Sequence, residues 1–256
     1  VKKNTRVFNL LGLLALMLTA SLPAVSSLEE AMSNYTKAEQ SEKADERKEL
    51  FNKALATFLS IDNPSGQLLC NIGNIYFYLG DDGTSIAYYR MAERLIPNDP
   101  SLEKNLHIAL ETAEVSRLQI ERPLEDFLGF RWISVFERRL LALGAIGITL
   151  VLFSFNVWFP RLGFCWPWRL FGGATALFLL LLWLYAFFVP ARAVVIHASS
   201  LRVSSGFSSK ETVTTVRPGE MVEVLASASD KDWVRVRTSF GVTGYLPGKI
   251  VCFIDE

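Results

Sequence analysis

Three stretches of this chain are almost continuously apolar, residues 7–25, 140–159 and 170–189, and between them the pattern turns periodic. From 27 to 114 the apolar positions recur every three or four residues, the spacing of helices with one buried face. From 193 to 254 the period drops to two. Val194, Ile196 and Ala198 alternate with Val195 and His197, and 221–225 and 233–237 are strand-like as well. Turn formers at Pro218-Gly219, 229–232 and Phe240-Gly241 divide this region into about five short strands, which fits a small closed barrel or two packed sheets.

The runs at 140–159 and 170–189 each reach the roughly 20 residues a helix needs to cross a bilayer. Only 160–169 separates them, so they predict a two-helix transmembrane hairpin with both polar flanks on one side. Ser154, Asn156, Thr149 and Thr175 are the polar residues inside the runs, and no ionisable residue sits mid-run, which removes the usual marker of proton relay or ion transport. Between 115 and 139, Phe127, Phe130, Trp132 and Phe136 mix with Glu125, Asp126, Arg131 and Arg138, the composition of an amphipathic segment at a membrane interface.

At the start, Lys2, Lys3 and Arg6 precede the apolar stretch, which runs out in Pro23-Ala24-Val25-Ser26-Ser27. A basic n-region, an apolar h-region and a small-residue exit predict a signal peptide over 1–26, and an uncleaved signal anchor stays open beside it. Both would export the chain downstream of residue 26. The arginines argue the other way: Arg161 and Arg169 bracket the turn, while Arg131, Arg138, Arg139, Arg192 and Arg202 lie in the flanks. Export begins at the leading segment, so that segment takes precedence in setting the sidedness.

Within 27–114 the breaks fall at 62–66, 80–83 and 97–100. Between the first and last of them stand Leu69, Ile72-Gly73, Tyr76, Leu79-Gly80-Asp81, Ile86, Tyr89, Ala92 and Pro97. This segment resembles a tetratricopeptide repeat, although Leu69 stands where tryptophan is common and Ser85 where alanine is usual. Gly73 and Ala92 are small where two antiparallel helices would cross, Tyr76 and Tyr89 fill the space between them, and Pro97 stops the second helix. Phe51 and Ala54 suggest a preceding repeat, and Leu102, Leu106, Ala109, Leu110 and Ala113 a terminal capping helix. In the register that the resemblance implies, Gln67, Cys70, Asn74, Phe77 and Tyr78 line a concave face that grips a partner's peptide or helix. For Phe77 and Tyr78, packing on the neighbouring repeat is the equal alternative. The set holds no Lys or Arg, which argues against a pocket for a terminal carboxylate.

In the C-terminal flank, Leu201 to Gly206, Val216-Arg217-Pro218-Gly219-Glu220, Asp232-Trp233-Val234-Arg235-Val236 and Gly244-Tyr245-Leu246 come one after another. The order resembles a bacterial SH3 domain over 193–254, with Tyr245 where tryptophan is frequent. The resemblance implies a peptide- or wall-binding surface at Trp233 and Tyr245, against the plainer reading that Trp233 is core.

Charge and chemistry narrow the classes further. Lys plus Arg and Asp plus Glu both number 26, so no global field recruits nucleic acid. Three dispersed cysteines and two histidines offer neither a disulfide framework nor a metal site. No P-loop, G-x-S-x-G or H-E-x-x-H is present, so neither an enzyme nor a cofactor is expected.

The whole order of parts resembles the BatE-type proteins of bacterial aerotolerance operons. The expected fold is therefore a multi-domain membrane protein: an all-α tetratricopeptide solenoid over 27–114, a linker over 115–139, a transmembrane hairpin over 140–189 and a small all-β SH3-like barrel. The expected function is a non-enzymatic scaffold in the bacterial inner membrane, with both modules facing the periplasm. The resemblance implies partners with von Willebrand-type domains and a MoxR-type ATPase. The alternative is a peptidoglycan-binding protein acting through the SH3-like module.

Overall fold

Turn chemistry sets the helical half. The structure is a computed structural model that describes residues 27–115, 132–158, 170, 172–179, 181, 191–204, 212–227 and 232–254. Helices α1 (27–40), α2 (Ala44–Phe58), α3 (Gly66–Tyr78), α4 (Asp82–Leu95) and α5 (Pro100–Thr112) come in close succession. Ser65 caps α3 by accepting from the Leu68 N–H, Asp81 caps α4 by accepting from Thr84, and Asp99 caps α5 by accepting from Ser101 and Leu102. Leu79-Gly80-Asp81 does two jobs. The Gly80 N–H donates to Phe77 O at 3.0 Å and the Asp81 N–H to Tyr76 O at 2.9 Å, a Schellman closure, and Asp81 then starts α4. Gly80 sits at φ +81°, which an L side chain rarely adopts. The chain reverses within these three residues, so α4 lies back along α3.

Two buried clusters result. Tyr35, Ala38, Phe51, Phe58, Ile72 and Ile75 pack α1, α2 and one side of α3. The other side of α3 joins α4 and α5 through Leu69, Ile86, Tyr89, Leu106 and Leu110. A Cβ on Gly73 would lie 2.6 Å from the Tyr89 ring, so a hydrogen at that position is what lets α3 and α4 approach.

The β half has seven strands: β1 (Ala191–Val195), β2 (Ser199–Arg202), β3 (Thr212–Val216), β4 (Met221–Ser227), β5 (Trp233–Thr238), β6 (Thr243–Pro247) and β7 (Val251–Phe253). They form one sheet in the order β3-β2-β6-β5-β4-β1-β7, every described pairing antiparallel. Ala193, Val195, Leu201, Val216, Val222, Val234, Val236, Leu246 and Val251 make the cluster on one face. No helix residue belongs to it, so the sheet curls over its own core. The curl does not close: β3 and β7 remain the two ends of the ladder.

The other face of β1 meets the helices. Val194 and Ile254 belong to the same buried cluster as Leu69, Ile86 and Tyr89, and Ile196, Met221 and Cys252 pack on its margin. Gly83, in the first turn of α4, rests against the Ile196 carbonyl. Arg94, in the last turn of α4, donates to the Ile254 carbonyl. Arg217 reaches the Glu114 carbonyl at 3.1 Å.

These findings overturn the expected fold class. In place of a separate all-α solenoid and a closed barrel, helices and an open sheet share one of the three buried clusters. The reason lies in β1, where Ala193 and Val195 point into the sheet core while Val194 points to the helices, so the strand is buried on both faces.

The hairpin is overturned as well. Ser134 and Glu137 form a capping box that starts α6 (Val135–Trp158): Glu137 N–H donates to Ser134 Oγ at 3.2 Å and Ser134 N–H to Glu137 Oε2 at 2.7 Å. The first turns of α6 carry Glu137, Arg138 and Arg139. The next run is described as α7 over 172–179, tied to α6 by the hydroxyls of Thr149 and Thr175 at 3.1 Å. Among the described residues no helix is long and apolar enough to cross a membrane. The transmembrane assignment, and with it the two-span inner-membrane location with periplasm-facing modules, is accordingly withdrawn. The signal segment 1–26, most of the linker 115–139 and the turn 160–169 lie outside the described residues.

Candidate functional site

Helix α3 carries the candidate surface. Steps of four, three and four residues place Gln67, Asn71, Asn74 and Tyr78 on one stripe, with about 16 Å between its ends. Gln67 and Tyr78 are exposed; Asn71 and Asn74 are half-buried between them. Helix α1 flanks the stripe with Met32, whose sulfur lies 3.9 Å from Asn71 Nδ2.

Asn74 joins four helices. Its Nδ2 donates to Tyr35 OH of α1 at 2.8 Å, while its Oδ1 accepts from Tyr89 OH of α4 at 2.7 Å and from Asn105 Nδ2 of α5 at 2.9 Å. Both lone pairs of Oδ1 are used, so the carbonyl end of the amide is satisfied within the protein and holds the floor of the surface in place. Burial is the main force raising the Tyr35 and Tyr89 hydroxyls above the ordinary tyrosine range, so both stay neutral near pH 7.

The five residues expected to line a concave face therefore separate. Gln67, Asn74 and Tyr78 share the stripe, whereas Cys70 and Phe77 turn toward the core between helices and sheet. Burial foremost, with the nearby Asp99 charge, pushes the Cys70 thiol up to about 11 against an opposing hydrogen bond from Asn105. A thiol so placed is a packing group with little thiolate. Tyr78 is 53% exposed and stacks on Phe51 with ring centroids 5.1 Å apart, so it both packs on α2 and offers an open face. Sequence reasoning missed Tyr35, Tyr89 and Asn105 as partners of Asn74, because they come from three other helices. It also missed Asn71, although the four-residue spacing from Gln67 was visible.

Trp233 and Tyr245 occupy the uncovered part of the sheet. Trp233 is 5% exposed, with the Arg202 guanidinium 5.0 Å above its ring. Tyr245 is half-buried, opposite Arg202 on β2 and Arg235 on β5.

A third feature lies where helices and sheet meet, a cleft of about 270 Å³. It is lined by Arg90, Glu114, Arg217, Glu220 and the exposed Phe240 among others. Arg90 is almost wholly buried and paired with Glu93 at 2.9 Å, and burial raises the Glu220 carboxyl above its ordinary range. Its lining comes from distant segments and gives no signal in sequence order. No protein-family model, no curated protein and no solved structure matches the chain.

Proposed function

We propose that the chain is a non-enzymatic adaptor, a rigid helix–sheet platform that holds protein partners on the α3 stripe and on the sheet face around Trp233 and Tyr245. The observation that carries this reading is the shared core: Val194 and Ile254 of the β half are buried with Leu69, Ile86 and Tyr89 of the helices. Two faces fixed on one body present partners in a set geometry without the entropy cost of ordering a linker. The non-enzymatic part rests on the polar side chains gathered at Asn74, which hydrogen-bond to one another, and on the packed Cys70 thiol. The resemblance to BatE-type proteins makes proteins with von Willebrand-type domains and a MoxR-type ATPase the first partners to test.

Photo-crosslinking residues placed singly at Gln67, Tyr78 and Tyr245 of the full chain test the proposal, with exposed Lys53 on α2 as the control position. The expected result is a discrete protein crosslinked from Gln67 and Tyr78 and absent from Lys53. Crosslinks no richer than the control at all three positions would sink the adaptor reading. Sedimentation of the full chain with purified sacculi, lost on Tyr245→Ala, would move the function to wall binding.

A further inference from the structure

The sheet face that holds Trp233 and Tyr245 has a charge bias that the balanced chain conceals. Strand registers place Arg192, Glu223 and Arg237 in one row across β1, β4 and β5, and Arg235, Tyr245 and Arg202 in the next across β5, β6 and β2. Among the described residues, the helices cover this face at its β1–β7 end, through Val194, Met221 and Cys252. Among the described strand residues on the face, four arginines therefore stand against one acid. That acid, Glu223, is mostly buried and held by Arg237 at 3.3 Å. Arg235 is exposed, and its guanidinium makes no ion pair or hydrogen bond among the described residues.

We propose that this face binds an extended acidic peptide segment of a protein partner, with Arg235 at the centre of the contact and Arg202 and Arg237 beside it. Charge complementarity fixes the sign of the ligand. Geometry fixes its form: same-face residues on a strand repeat about every 6.4 to 6.8 Å, the spacing of alternate side chains in an extended peptide. Arginine forks at that spacing match alternate carboxylates. The aromatic residues argue against single-stranded nucleic acid, which needs open ring faces to stack bases. Trp233 is buried beneath Arg202, and Tyr245 alone is half open.

The inference rests on the adaptor reading for its class of partner, and it has its own test. A fluorescein-labelled peptide of about ten residues alternating Glu and Thr is titrated with the full chain by anisotropy at roughly 50 mM and 300 mM salt. An alternating Lys-Thr peptide and oligothymidylate are run beside it. The expected result is saturable binding of the acidic peptide, weakened by salt, with Arg235→Glu reducing affinity about tenfold or more and Arg235→Lys retaining most of it. Because Arg235 is exposed, both variants are expected to keep the parent melting temperature, which is measured alongside. Absence of binding at low salt, equal binding of the lysine peptide, tighter binding of oligothymidylate, or an unaffected Arg235→Glu each overturns the proposal. If the peptide fails while crosslinks persist at Gln67 and Tyr78, the adaptor reading survives and this inference alone falls.

Discussion

Gly83→Ala tests the union of helices and sheet directly. In an exposed helix the change stabilises by about 0.5–1 kcal/mol, since glycine loses more backbone freedom on folding. At Gly83 the added Cβ would lie 2.8 Å from the Ile196 carbonyl carbon and 3.0 Å from its Cα, and closer still to its oxygen. Carbon atoms rest about 3.5–4.0 Å apart, so α4 and the end of β1 must separate by most of an ångström. Both sides of the contact are backbone, and no rotamer relieves it. Overpacking of this kind costs about 1–3 kcal/mol, and separation also loosens the burial of Val194 and Ile254. The net expectation is a loss of about 1–2 kcal/mol in urea unfolding, with hydrogen exchange accelerated at Val194 and Val195. Gly144→Ala on α6 is the control: among the described residues nothing beyond the helix's own backbone lies within 4 Å of its Cβ position, so exchange across α6 should slow. A Gly83→Ala protein as stable as the parent, with unchanged exchange in β1, would refute the shared core and the rigid platform built on it.

The same geometry sets further outcomes. Gly80→Ala, with φ at +81° and open space around it, should cost about 1–2 kcal/mol through backbone strain alone, and urea unfolding with exchange unchanged at Val194 and Val195 separates it from Gly83→Ala. Asn74→Ala strands Tyr35, Tyr89 and Asn105 and should cost about 2–4 kcal/mol by the same assay, against about 1 kcal/mol for Tyr89→Phe. Cys70 should resist iodoacetamide in the native protein and react in urea, as peptide mass mapping will report. Tyr35 and Tyr89 ionise above their ordinary value of 10.0 when folded, so the unfolded chain releases those protons first. Stability is therefore indifferent to these groups below pH 10 and falls as pH rises through that value, and Tyr35→Phe should flatten the fall in urea titrations across alkaline pH.

Local signals in the sequence found the local structure. The turns at 62–66, 80–83 and 97–100 mark the boundaries of α3, α4 and α5 because Ser65, Asp81, Asp99 and Gly80 act on backbone groups within a few residues of themselves. The period of two likewise locates strands at 221–225 and 233–237. Part of the α3 surface is legible too, since Gln67, Asn74 and Tyr78 share a stripe by spacing alone. Cys70 and Phe77 depart from the expected face because register on one helix does not say which other element covers its sides.

Every relation between distant elements lay beyond the sequence. The apolar alternation of Val194 and Ile196 with Val195 suggests one buried strand face, yet both faces are covered, one by the sheet's own core and one by α4. Apolar composition at 140–189 suggests a bilayer hairpin, while among the described residues no helix is long and apolar enough to cross a membrane. The arginine face emerges only when registers align residues from five strands whose charges net composition averages to zero. Sequence determined where α3, α4 and α5 begin and end and where β4 and β5 lie, because caps, turns and periodicity are contacts within a few residues. The tertiary structure alone decided that the two halves form one platform, because Gly83 meeting Ile196 depends on a contact between residues more than a hundred positions apart.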